Sequence, residues 1–159
     1  MGVVTKYGRA YPDPSTYRQP DAIHTMPVAA HLLSDVAIAN GDSAGSKIFV
    51  GKIRSSARMS PGSLIYHTGI TGLTSLHLGF PGVGTGNDAI LASALDVSSA
   101  GSKNAMNAVA TANLHKRMWE LCGLTNDPGS EFDLIATMNQ AAGAAGTLVF
   151  SLTTFLRGG

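Results

Sequence analysis

The chain has 159 residues, a formal net charge of +1 and one cysteine. That length suits a single domain with its own core, and the lone Cys122 excludes an internal disulfide or a cysteine-rich zinc site. Charged residues make up only 13% of the chain, against roughly 25% in ordinary soluble domains, so its surface is expected to be largely covered by partners. The balanced charge gives no reason to expect nucleic acid or an anionic membrane as a direct partner.

No leader or anchor is read at the N-terminus. The first apolar run is only Gly2-Val3-Val4, and Lys6 stands where a myristoylation motif wants Ser or Thr. No run approaches the length of a spanning helix. A soluble protein made in a cytoplasm is expected.

Residues 1–23 read as an extended N-terminal arm. Pro12, Pro14 and Pro20 remove backbone donors and force extended conformations on their neighbours. Tyr7, Tyr11 and Tyr17 alternate with Arg9 and Arg18, the residue types enriched at interface hot spots. These five are the candidate partner-contact residues. The alternative for the segment is a tail that stays disordered.

Residues 24–159 read as one β-sandwich domain. The period is two in "TSLHLGF", with Leu76, Leu78 and Phe80 on one face. It is two again in "FDLIATM", with Phe132, Leu134, Ala136 and Met138, and in "TLVFSLTTFL", with Leu148, Phe150, Leu152 and Leu156. Ile135, Val149 and Phe155 break the alternation by falling on the polar faces. "KIFVGKI", "GSLIYHTGI" and "AILASALDV" are shorter strand candidates. Gly-rich clusters such as "NGDSAGS", "MSPGS" and "SSAGSKN" read as turns between strands. Seven or eight short strands with such turns predict an all-β, antiparallel sandwich, jelly-roll-like in character. One segment has helical spacing: Leu114, Met118 and Leu121 predict a short helix around 114–122, stopped by Gly123, with Trp119 plugging one end of the sandwich.

"SAGSK" occurs at Ser43–Lys47 and again at Ser99–Lys103. A phosphate loop needs Lys directly after the last Gly and a hydroxyl directly after Lys; here Ser46 and Ser102 intervene, and Ile48 and Asn104 follow. Both copies are read as turn chemistry. Cys122 and His115 would sit two helical turns apart, too far for a nucleophile and its base. The expectation for Cys122 is a small core hydrophobe. His67 and His77 are read as surface or interface histidines; the alternative is a metal pair sharing a face on neighbouring strands. With no carboxylate pair and no nucleophile motif, the chain is read as a non-enzyme without cofactor or metal.

Two blocks carry a resemblance. Ile48–Phe80 contains "LTSLHLGF", and His115–Phe155 contains "MWELCGLTNDPG" and "ATMNQAAGAAGT". Over residues 41–156 the chain resembles the small capsid decoration, or cement, proteins of tailed bacteriophages. It departs from their pattern at Ser55-Ser56, where a Pro-Gly-like turn is commoner. The resemblance implies a structural virion protein, often a homotrimer, that binds the major capsid protein on the outside of the head and stiffens it. A head-fibre base, portal-proximal or tail component is the nearest alternative. A non-enzymatic β-sandwich binding module is the next.

Overall fold

The computed structural model describes residues 2–3, 5–7 and 29–156. Two sheets face each other. The first has the order β1 (Thr5–Tyr7), β3 (Lys47–Arg54), β9 (Glu131–Met138), β6 (Leu76–Gly79), β7 (Ala92–Leu95). The second has the order β2 (Ala29–Ile38), β10 (Gly146–Phe155), β5 (Leu64–His67), β8 (Gly101–Asn104), with β4 (Arg58–Met59) also pairing β10. All pairs are antiparallel except β1 with β3, which is parallel. The all-β antiparallel sandwich is thus the fold.

The core follows from alternation. In the first sheet Ile48, Ala136, Leu78 and Ala92 stand in one cross-strand row, all fully buried. In the second, Leu148, Phe150 and Leu152 point inward from β10 and are fully buried. Phe132 and Leu134 are buried as their phase requires, and the Phe132 ring meets Phe80 edge-on at 5.6 Å between centroids.

Two close approaches shape the sandwich. A bulge between Phe49 and Gly51 in β3 turns Val50 inward and leaves Gly51 facing the other sheet. A β-carbon on Gly51 would lie 2.9 Å from the Leu32 side chain of β2. At Gly79 it would lie 2.1 Å from the Asn87 carbonyl oxygen, which accepts a hydrogen bond from the Phe80 N–H at 2.7 Å. Backbone meets backbone there, and no side chain can step aside.

The helix is shorter than its pattern. Thr111–Asn113 form a single 3-10 turn and α1 covers only Met118–Leu121. The Met118 and Trp119 N–H groups donate to the Ala57 and Ser55 carbonyls, which fixes where the helix starts. The Arg117 N–H donates to the Glu120 carboxylate at 2.7 Å. Gly123, at φ 72°, ends it. Met118 is buried and Trp119 packs half-buried against the core, its indole Nε1 without a partner.

A segment read as a turn, and part of the extended arm, are strands. The second SAGSK runs into β8, so Gly101–Asn104 pair with β5 instead of forming a turn. Within the expected arm, Thr5–Tyr7 form β1 on the free side of β3.

Phe150→Ala is expected to cost about 3–5 kcal/mol, the range for emptying a phenylalanine site in a core. Gly79→Ala is expected to cost about 1–3 kcal/mol or more by overpacking. Gly82→Ala, where a β-carbon meets nothing within 4 Å, should change stability by less than about 0.5 kcal/mol. Urea unfolding of the three variants checks all of these values.

Candidate interaction surfaces

The two outer faces of the sandwich differ in chemistry. On the first sheet, Lys52 and Asp133 lie opposite each other in β3 and β9 and form an ion pair at 2.8 Å. His77 Nδ1 and Asp88 approach to 3.5 Å elsewhere on that sheet, where His77 stands opposite Thr137. Ile135 lies on this outer face yet is buried, which accounts for one of the three breaks in alternation.

The outer face of the second sheet is apolar and hydroxyl-rich. Its rows run Asp35–Val149–Tyr66–Ser102, Leu33–Ser151–Leu64–Asn104 and His31–Thr153, with Ala29–Phe155–Arg58 at the end. Leu33 is 58% exposed, and Tyr66 and Phe155 are each 47% exposed. Together with Val3, these are the large exposed apolar side chains of the described residues. His31 Nε2 and the Ser151 hydroxyl hydrogen-bond at 3.0 Å across the same face. Exposed apolar side chains spread along this face, with hydroxyls and few charges between them, make it the candidate interaction surface. Its sequence signal was the out-of-phase Val149 and Phe155; Leu33 and Tyr66 carried none.

The candidate contact residues divide. Tyr7 occupies the last position of β1, opposite Phe49. Arg9, Tyr11, Tyr17 and Arg18 lie outside the described residues.

The first SAGSK spends its backbone donors internally. The Gly45 N–H donates to the Met138 carbonyl at 2.7 Å and the Ser46 N–H to the Ser43 carbonyl at 3.2 Å. A phosphate cradle needs such groups turned outward. The second copy lines a cleft of about 270 Å³ with His67 and Asp96. His67 is in β5 and His77 in β6, in different sheets, so they do not form a pair on neighbouring strands. Among the described residues no three His, Cys, Asp or Glu side chains converge as metal ligands. Cys122 is buried, and burial pushes its thiol up to about 11, so it stays protonated and packs as a hydrophobe. No helix of the described residues is long and apolar enough to cross a membrane.

No known family model and no curated protein matches the chain. Solved structures do. The fold is similar to a chain of the cyanophage Pam1 capsid asymmetric unit, with TM-score 0.55 and 13% identity, covering 92% of this chain and 98% of that one. It is also similar to a chain of the capsid of Ralstonia phage GP4, with TM-score 0.58 and 12% identity, covering 93% and 96%. What is shared is the sandwich.

Leu33→Ser with Tyr66→Ser should leave stability within about 1 kcal/mol, because both side chains are largely exposed already. The pair should at the same time weaken any self-association or partner binding through this face. Denaturant unfolding and analytical ultracentrifugation separate the two effects.

Proposed function

We propose that this chain is a structural protein of a tailed-phage virion that binds the outside of the major capsid lattice and stabilises the head. The observation that carries the reading is the near-complete overlap, in both directions, with chains of two phage capsids. Those chains are of about this chain's own length, so the likeness spans both chains nearly from end to end. The low charge content and the sparsely charged outer face of the second sheet support it.

The physical role follows from interface area. A protein lying across neighbouring lattice subunits adds contacts that expansion or rupture must break. The proposed homotrimer would hold several lattice sites at once, and linked sites gain avidity with no new type of contact. In this reading the apolar face supplies buried area, while Arg9, Tyr11, Tyr17 and Arg18 extend the grip along a neighbouring subunit. Ordering each residue of such an arm costs roughly 1–2 kcal/mol, which large aromatic contacts and bidentate arginines offset.

Quantified gel bands of purified particles should show this chain in hundreds of copies; a few copies per particle would place it at a portal or tail. Replacing Arg9, Tyr11, Tyr17 and Arg18 together by Ser should leave the melting temperature of the free protein unchanged and lower its retention on heated particles. Unchanged retention would make the segment a passive tail.

A further inference from the structure

His67 occupies a core position. It closes the inward-facing row Val36–Leu148–His67–Gly101 of the second sheet. The residue is only 6% exposed, and both ring nitrogens are buried without a hydrogen-bond partner. An unpaired buried polar group costs about 1–3 kcal/mol, and a buried charge costs more. Neutral imidazole already sits there at a loss, and imidazolium is disfavoured further, because burial and Lys103 outweigh the Ser99 backbone and Asp96.

The surroundings decide what would give way. On one side His67 has Leu148 of β10, a ten-residue strand paired on both edges. On the other side lies β8, four residues long and, among the described residues, paired only with β5. Apart from His67, the 270 Å³ cleft is lined entirely by the stretch that leads into and forms β8: Asp96, then Ser99 to Lys103. Gly101 stands directly opposite His67, where a β-carbon would lie 3.9 Å from the ring Cε1. A four-residue edge strand is the least costly element to detach.

We propose that His67 is an acid-operated latch: protonation of its ring releases β8 and the preceding turn from β5, opening the edge of the second sheet. Two charged groups face the ring, Lys103 and Asp96. Burial holds the imidazole below its ordinary 6.5, and Lys103 pushes it further down; the Ser99 backbone and Asp96 act the other way. In the unfolded or opened chain the ring takes its proton near 6.5. The opened state therefore binds more protons, and closure weakens as the pH falls from about 6.5 towards the lowered value of the closed state. Tyr66 precedes His67 in β5 and is part of the exposed apolar face. If that face is the capsid contact, as proposed above, opening the edge beside it makes the grip pH-dependent.

Amide hydrogen exchange on the full chain tests the latch without any particle. Between pH 7 and 5, after correction for intrinsic exchange, protection of the Gly101 and Lys103 amides should fall while that of β10 holds. His67→Leu should abolish this selective loss. Lys103→Gln, which brings the closed-state value back towards 6.5, should shrink the loss of protection at pH 5, and Asp96→Asn should enlarge it. Opposite shifts from the two charge changes distinguish titration of His67 from a packing defect. Uniform loss across both sheets, or a loss at pH 5 unchanged in both charge variants, would overturn the proposal. Neither result bears on the capsid reading, which copy number in purified particles tests.

Discussion

The pairing of β10 is the constraint on which the rest of the structure depends. Its ten residues from Gly146 to Phe155 run antiparallel to β2 along their whole length, with β5 and β4 on the other side. That register fixes which residues face inward. Leu148, Phe150 and Leu152 go to the core; Val149, Ser151, Thr153 and Phe155 go to the outer face. A slip of one residue would exchange the two sets and bury hydroxyls in place of the core. Core and candidate contact face are therefore the two phases of one strand, and neither can be changed without regard to the other.

The two sheets also divide the work. The first carries a paired Lys52–Asp133 on its outer face. Exposed pairs of this kind add little stability but favour solvent over an apolar partner. The second carries Leu33, Tyr66 and Phe155 outward. Such an asymmetry gives a sandwich an inside and an outside when it sits on a larger surface.

Much of the core was legible because β6, β9 and β10 alternate cleanly, so Leu78, Phe132, Leu134, Phe150 and Leu152 could be assigned to it. β2 was not legible. Its Leu32-Leu33 pair puts apolar side chains on both faces, and the inward position at Ser34 is polar. β8 is composed of Gly, Ser, Lys and Asn, residues that favour turns, and becomes a strand only because β5 offers it a ladder. The helix pattern ran longer than α1 because the carbonyls of Ser55 and Ala57 cap it from a loop far away in sequence. Of the candidate contact residues only Tyr7 falls within the described chain; the outer face was betrayed by Phe155 and Val149 alone.

Hydroxyl-radical footprinting of the chain, free and bound to purified phage heads, tests the central claim most directly. The account predicts that Leu33, Tyr66 and Phe155 become protected on the head while the face bearing Lys52 and Asp133 keeps its reactivity. Protection confined to the Lys52–Asp133 face, with Tyr66 and Phe155 as reactive as in the free protein, would contradict it.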